Sequence, residues 1–369
     1  MLFSKDKFSE NLSRFYGTNL PAGSGKEQHC GNGPFLLIIV KDKAPKYETR
    51  ATSKGDKTVN VNMFDKKTYY RELTGGGHKI HATNDPKETN HDITLLLGKN
   101  INDFLAQNLN SREIINLQQD LFGANGWEDV KDMFYALNNC IEYALLRNYE
   151  TLPDEIYVNK HNDIDVICTS HIDCAYILNA KKVFQEEYRV HYVTQVKNNN
   201  AYFDLRYLGD GYYCKELEKN LIHNRIYNEK GFYTISNNEY IYTLLYHAIL
   251  HKKEFADDYK KRLSQMTDIL NTEMDINQYL KILENWMIEN EYIVTIPEDI
   301  SVQFNKQNAQ KLSKLIYRNE EKLIKLKTEN QNLKNENNKL SKEINELYNS
   351  KSWKATAILR KISGMLQKK

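Results

Sequence analysis

Short apolar runs separated by turn residues fill the first third of the chain. These runs predict strands at Phe35–Lys41, Val59–Phe64, Thr68–Leu73, Lys79–Thr83 and Ile93–Leu97. Gly75-Gly76-Gly77 and Asn84-Asp85-Pro86 separate the later runs as loops. The pattern therefore predicts an irregular segment over residues 1–34 and a small β-rich domain over residues 35–122, in which residues 100–122 form a connecting helix.

The middle of the chain alternates between helical and strand periodicity. The predicted elements are a helix from Glu128 to Leu146, a strand at Asp163–Cys168, a helix through Lys181–Tyr188, strands at Arg189–Val196 and Ala201–Tyr207, and mostly helical residues 238–291. Within the last stretch, Glu239–Leu250 is apolar on nearly all sides, as a buried helix should be. This order predicts an α+β domain over residues 123–305.

A seven-residue repeat runs through the polar residues 306–349. One core position is occupied by Leu312, Asn319, Leu326, Leu333, Leu340 and Leu347, and the other by Ile316, Leu323, Asn330, Asn337 and Ile344. Leucine at one position with recurring asparagine at the other is the pattern of a parallel two-stranded coiled coil. The repeat therefore predicts a homodimer, and a single solvated helix packed on its own domain is the alternative.

Charge is distributed unevenly along the 369 residues. The net charge is +2, yet residues 350–369 carry only basic charged residues: Lys351, Lys354, Arg360, Lys361, Lys368 and Lys369. The rest of the chain is therefore acidic, at about −4, which argues against nucleic acid as a partner. With Trp353 and an apolar stripe through Ile358 and Ile362, the basic tail predicts binding to an anionic membrane surface.

The distribution of cysteines and apolar runs bears on location. The five cysteines form no CxxC pair, which favours free thiols in a reducing compartment. The longest purely apolar run, Phe35 to Val40, is far shorter than the roughly 20 residues of a membrane span, and no secretory signal is evident. We expect a cytoplasmic protein that is peripheral on the inner membrane.

The candidate chemistry lies on the predicted strands of the central domain. Asp163 and Asp165 alternate along one strand and should project from the same face. Two neighbouring carboxylates repel each other unless a cation lies between them, and oxygen ligands suit Mg²⁺ or Mn²⁺. Asp204, flanked by apolar residues on a later strand, is a third candidate ligand.

Residues of about 126–255 resemble the nucleotidyltransferase fold. That family has a helix ending in Gly-Gly or Gly-Ser, then a strand bearing Asp-x-Asp, then a third Asp on a neighbouring strand. The segments that resemble one subgroup are Leu146-Arg147-Asn148 with Leu152-Pro153, Asp163-Ile164-Asp165, and Gly209-Asp210-Gly211-Tyr212-Tyr213. The resemblance implies that Asp163, Asp165 and Asp204 are catalytic and hold the metal.

The sequence departs from the family pattern at Arg147-Asn148, because typical members carry Gly-Ser at this place. Arg147 would then meet a phosphate directly, and Arg147, Asn148, Asp210 and His247 are the candidate substrate-binding residues. His247 and His251 have metal-ligand spacing on a helix, although packing or hydrogen bonding is the favoured interpretation. The tail Ser350-Lys351-Ser352-Trp353-Lys354-Ala355-Thr356 is similar to endings that follow coiled coils in bacterial surface-polysaccharide glycosyltransferases.

Together these features predict a metal-dependent transferase of bacterial capsule or lipopolysaccharide biosynthesis. It would move a phosphoryl, nucleotidyl or substituted phosphate group from a nucleotide or sugar-nucleotide donor to a saccharide acceptor. One alternative is a glycosyltransferase that uses a sugar nucleotide, for which residues 1–100 supply no long parallel α/β half. The other is a non-catalytic dimeric scaffold for polysaccharide enzymes.

Overall fold

The computed structural model describes residues 1–52, 55–108, 114–154, 163–267, 269–312, 328–329, 332–344 and 346. The chain is a mixed α/β protein, as the sequence predicts in outline. A seven-stranded mixed sheet is formed by β3 (Tyr143–Arg147), β4 (Asp163–Cys168), β5 (Lys181–Lys182), β6 (His191–Val196), β7 (Asn199–Tyr207), β8 (Ile226–Tyr227) and β9 (Tyr233–Thr234). Its strand order is β5-β6-β7-β4-β3-β9-β8.

Helices cover both faces of this sheet. They are α6 (Val130–Cys140), α7 (His171–Ile177), α8 (Lys215–His223), α9 (Asn237–Leu250), α10 (Asp257–Met266) and α11 (Ile276–Glu289). On one face, Ile164, Val166 and Phe203 pack with buried residues of α6 and α7. On the other face, Ala144, Leu146 and Ile167 pack with buried residues of α8, α9 and α11. The second face also carries the polar groups described below.

The N-terminal region contains mostly helices. Its elements are α1 (Phe8–Tyr16), α2 (Gly25–Cys30), the hairpin β1 (Tyr47–Thr52) and β2 (Gly55–Asn60), α3 (Val61–Leu73), α4 (Pro86–Leu97) and α5 (Ile101–Asn108). Arg14 of α1 joins this region to the central domain, because its buried guanidinium donates hydrogen bonds to the carbonyls of Phe122, Tyr176 and Ile177.

The predicted β-rich domain is therefore wrong in most of its strands. Thr68–Leu73 lies in α3, Ile93–Leu97 lies in α4, and Phe35–Lys41 forms no strand. Asp85-Pro86 begins a helix: the Asp85 side chain accepts a hydrogen bond from the Glu88 amide, and Pro86 occupies the first turn. The connecting helix α5 covers only part of the predicted residues 100–122.

One predicted helix of the central domain is confirmed only up to Cys140, and another is wrong. α6 ends at Cys140, and Tyr143–Arg147 forms the buried strand β3, because a short run that is apolar on both faces fits a buried strand as well as a helix. Lys181–Tyr188 begins with strand β5 and contains no helix. The predicted strands at Asp163–Cys168, Arg189–Val196 and Ala201–Tyr207 and the buried helix at Glu239–Leu250 are confirmed as β4, β6, β7 and α9.

Two local features set the register of the sheet. β6 and β7 form a hairpin whose two turn residues, Lys197 and Asn198, both have positive φ angles of 49° and 64°. Such a two-residue turn matches the twist of the flanking strands and fixes their pairing. On β3, Leu145 pairs with Val166 while Arg147 pairs with Asp165, so Leu146 is an extra, bulged residue. The bulge turns Arg147 toward the same face as Asp165.

The C-terminal helix begins differently from the predicted coil. α12 (Lys306–Lys311) packs on α9, where the Asn308 side chain donates a hydrogen bond to the Ile249 carbonyl. Leu312 is 1% exposed and belongs to the core of the domain, so it is not available as a coil position. Residues 332–344 are helical, with Leu333, Leu340 and Ile344 exposed. The other predicted coil positions and the tail, residues 350–369, lie outside the described residues.

Candidate functional site

A row of four polar residues crosses four adjacent strands of the central sheet. The Cα partners are His191 on β6 with Asp204 on β7, Asp204 with Asp165 on β4, and Asp165 with Arg147 on β3. Residues directly opposite on neighbouring strands share a face and are within side-chain contact distance. The row therefore places two carboxylates between a histidine and an arginine, on the face where α9 packs.

One end of this row is suited to a cation. One ligand atom from each of Asp163, His191 and Asp204 lies within 4.8 Å of the others. Asp204 Oδ1 lies 3.1 Å from His191 Nε2, and it accepts no hydrogen bond of regular geometry from the described residues. A buried carboxylate oxygen without a donor favours a ligand that supplies positive charge. The residues present thus fit a divalent cation held by two carboxylates and one imidazole.

Asp165 differs from Asp163, although only one residue separates them. Both of its oxygens have donors: Oδ1 lies 2.5 Å from an Arg147 nitrogen, and Oδ2 accepts a hydrogen bond of 3.0 Å from the Asn148 amide. Burial, with a smaller effect of the Asp204 charge, raises the pKa of the Asp165 carboxyl to about 6, and the Arg147 charge opposes that rise. Asn148, whose φ is 60°, also accepts a hydrogen bond from Arg262 of α10.

A chain of hydrogen bonds leads from Arg147 into the helical layer. The Arg147 guanidinium donates to the Tyr212 hydroxyl at 3.1 Å, and that hydroxyl lies 2.6 Å from Nδ1 of His247. Burial lowers the pKa of His247 well below its usual value, so the ring is neutral at pH 7. Because the Tyr212 oxygen accepts from Arg147, its own proton is donated to His247 Nδ1. These contacts hold Arg147 in position behind Asp165.

A second arginine lies beside the row and is surrounded by carboxylates. Arg206 is 3% exposed, and its guanidinium nitrogens lie 3.7 Å from Asp204, 3.8 Å from Asp210 and 3.2 Å from Asp299. Asp210 also accepts a hydrogen bond from the Tyr212 amide, and burial raises the pKa of its carboxyl. Around this point the described acidic side chains outnumber the arginines, and a bound cation would compensate the excess negative charge.

The structure brings together most of the site residues predicted from sequence, but their contacts differ. Asp163 and Asp204 lie in the cation-compatible cluster, and Asp165 lies beside them in the pair with Arg147 and Asn148. Asp210 lies behind Arg206, and His247 contacts the site through Tyr212. Arg147 and His247 are buried among protein partners, so contact of either one with substrate stays a prediction.

Sequence reasoning missed His191, Arg206 and Asp299. His191 is brought to Asp204 by antiparallel pairing, which periodicity does not reveal, although the alternation of buried and partly exposed residues along β6 and β7 is a signal of a half-open strand pair. Asp299 comes from a loop 93 positions beyond Arg206 in the chain, and no local pattern marks it.

Comparisons with known proteins give no family for this chain. No family model, no curated protein and no solved structure matches it. The resemblance to nucleotidyltransferases therefore depends on the quoted motifs alone.

Proposed function

We propose that this protein is a divalent-metal-dependent transferase that moves a phosphoryl, nucleotidyl or substituted phosphate group from a nucleotide or sugar-nucleotide donor to a sugar. The main support for this proposal is the cluster of Asp163, His191 and Asp204. In this cluster, the buried Asp204 Oδ1 accepts no hydrogen bond of regular geometry from the described residues. Asp163 and Asp204 would hold Mg²⁺ or Mn²⁺, with His191 as a nitrogen ligand that favours Mn²⁺. The cation, when bound, would neutralise negative charge on the phosphate.

The remaining residues would shape the site around that charge. Asp165, paired with Arg147 and Asn148, would hold these two residues in place beside the cation. The Asp204 carboxylate is also a candidate to accept the proton of the attacking sugar hydroxyl, because it belongs to the cluster at which that hydroxyl would meet the cation. Arg206 would orient Asp204, which lies 3.7 Å from its guanidinium. Biosynthesis of capsule or lipopolysaccharide is the setting that the tail motif favours.

Metal binding tests the proposal directly. Titration of the full chain with Mn²⁺, followed by the loss of free-ion electron paramagnetic resonance signal, should show one site. Asp163→Asn and Asp204→Asn should each weaken binding at least tenfold, and Asp173→Asn, on the exposed start of α7, is the matched control. Binding that is absent from wild type, or unchanged in both site variants, would remove the metal site.

The glycosyltransferase alternative has less support from the sheet. Among the described strands, parallel pairing joins only β4 to β7 and β3 to β9, whereas nucleotide-sugar binding in the predicted manner would use a long parallel α/β unit. The scaffold alternative is separated by the same titration, since a scaffold has no need of a cation at Asp163.

Oligomerisation and location belong to this proposal as well. The exposed Leu333, Leu340 and Ile344 lie on the helix over residues 332–344 and would pair with a second copy of the chain. None of the helices in the described part of the chain is long and apolar enough to cross a bilayer. We propose that the protein is cytoplasmic and attaches peripherally to anionic membrane through the basic residues of 350–369.

A further inference from the structure

The outer half of the β6–β7 hairpin forms an open platform beside the cation-compatible cluster. On the face that carries His191 and Asp204, the next pair of Cα partners is Val193 and Tyr202, and Tyr202 also pairs with Asp163 on β4. Tyr202 is 41% exposed, although it lies on an interior strand of the sheet. Its ring is therefore laterally adjacent to a predicted metal ligand and open to solvent.

The rim of this platform carries amide groups. Gln195 and Asn200 are the following pair of partners, both exposed, and their side chains are hydrogen-bonded to each other. The Asn200 amide also donates to the Tyr202 hydroxyl at 3.3 Å. An aromatic face with amide donors and acceptors at its edge suits a ligand that has an apolar face and a hydroxylated perimeter.

The distance between Tyr202 and Asp204 indicates whether a sugar or a nucleobase would stack on the Tyr202 ring. Tyr202 and Asp204 are two residues apart on β7, so their Cα atoms are separated by about 6.7 Å at the usual strand rise. The ring that bears an attacking hydroxyl is bonded directly to the oxygen at the reaction centre. A nucleobase is separated from its metal-bound phosphate by a whole ribose. The short distance between Tyr202 and Asp204 therefore favours the ring of a saccharide acceptor as the group that lies on Tyr202.

The opposite side of the cluster has different chemistry. Arg189, two residues before His191, places its guanidinium 3.7 Å from the centre of the Phe184 ring, and its buried Nε has no hydrogen-bond partner among the described residues. Phe184 also contacts the His191 ring edge-on. Cationic character on this side suits a phosphate-bearing donor, while the neutral Tyr202 side suits an uncharged acceptor.

We infer that Tyr202 and Val193, with Gln195 and Asn200 at the edge, form the saccharide-acceptor subsite of this protein. The inference rests on the proposed function, because the reacting hydroxyl is placed by reference to Asp163, His191 and Asp204. The sugar's C–H face lies on the Tyr202 ring, and its hydroxyls exchange hydrogen bonds with the amides of the rim.

Saturation-transfer NMR on the full chain with Mg²⁺ tests this subsite. The probes are methyl glycosides of glucose, galactose, mannose, N-acetylglucosamine and N-acetylgalactosamine. At least one glycoside should receive saturation on the protons of one ring face. Tyr202→Ala should weaken its binding about fivefold, the size of one lost aromatic contact, while Tyr202→Phe retains it.

Matched controls separate this inference from the metal proposal. Tyr227→Ala, at an exposed tyrosine on the edge strand β8, should bind the glycoside as wild type does. Mn²⁺ affinity should be the same in Tyr202→Ala and wild type. No saturation of any probe, or equal saturation in Tyr202→Ala and wild type, would overturn the subsite. Failure of Mn²⁺ to bind wild type would instead overturn the metal site, whatever the NMR shows.

Discussion

Asp163 and Asp165 alternate on one strand, yet they have different neighbours and different charge compensation. Asp163 lies with His191 and Asp204, where ligand atoms converge. Asp165 is enclosed by the donors of Arg147 and Asn148, so its charge is already compensated by protein. A buried ion pair of this kind stabilises little by itself, but breaking it is costly because the remaining charge stays buried.

Replacing Arg147 by Met should lower the free energy of unfolding by about 3–5 kcal/mol, because Asp165 would remain buried without its cationic partner. Urea denaturation at pH 7 measures the change. Lys87→Met is the control, since Lys87 pairs with Glu142 at 2.8 Å on the exposed surface and should matter little. If the two variants are equally stable, the buried pair does not support the fold.

Glu218 of α8 gives a second prediction at this scale. Its carboxylate accepts a hydrogen bond of 2.6 Å from the Gly209 amide. Burial raises the pKa of this carboxyl to about 8, and the nearby Asp210 charge adds a smaller effect in the same direction. The folded protein therefore holds this proton up to a higher pH than the unfolded chain does. The stability that Glu218 contributes should be complete below about pH 4 and should be lost as the pH rises toward 8.

Urea denaturation of wild type and Glu218→Gln between pH 5 and 8 tests this sign. The free energy of unfolding of wild type minus that of the variant should fall with rising pH, by up to about 1.4 kcal/mol per pH unit. Glu216→Gln, on the exposed side of the same helix, controls for loss of a formal negative charge. A difference that is constant or rises with pH would contradict the prediction.

At the scale of elements, the sequence pattern predicts three of the four strands that carry the site. β4, β6 and β7 show runs or alternation that only strands fit, so Asp163, Asp165 and Asp204 were placed correctly on strands. β3 is apolar on both faces, a pattern that also fits a buried helix. Asp85-Pro86 fits a loop as well as a helix start, and the difference depends on what α4 buries. His191 depends on pairing between strands, which one sequence does not encode locally.

The position of α12 gives a prediction about where the domain ends. A chain ending at Leu312 should unfold at the same urea concentration as the full chain, because Ala309 and Leu312 are buried in the domain core. A chain ending at Asn305 should be less stable, by roughly 1.5–3 kcal/mol for the loss of one buried leucine. Circular dichroism during urea denaturation compares them. Identical midpoints for the two shortened chains would show that α12 does not contribute to the core.

For the whole molecule, the predicted coil would join two copies of the central domain. Sedimentation equilibrium should give about twice 43.3 kDa for the full chain and the mass of one chain for residues 1–312. Leu333→Glu with Leu340→Glu should also yield one chain, because like charges would face each other in the seam. Lys342→Glu, at the position of the repeat farthest from the seam, is the control. A full chain that sediments as a single copy would exclude the dimer.

The tail adds a prediction for the same molecule. Co-sedimentation with vesicles containing an anionic lipid should be strong at low salt and weak at high salt, since each basic residue contributes roughly 1 kcal/mol near such a surface. The Leu333→Glu, Leu340→Glu variant should pellet less, because two linked tails bind more firmly than one. Equal pelleting with neutral and anionic vesicles would mean that the tail does not recognise membrane charge.

The two-residue turn at Lys197 and Asn198 has a consequence for how this protein can diverge among related organisms. Adding one residue to the turn would shift the pairing of β6 with β7 by one position, and His191 and Asp204 would then no longer share a face of the sheet. Under the proposed function, descendants would change the substrate by exchanging the outward side chains of the hairpin one at a time. Changes in the length of this turn should be rare among active descendants, even where nearby loops vary freely.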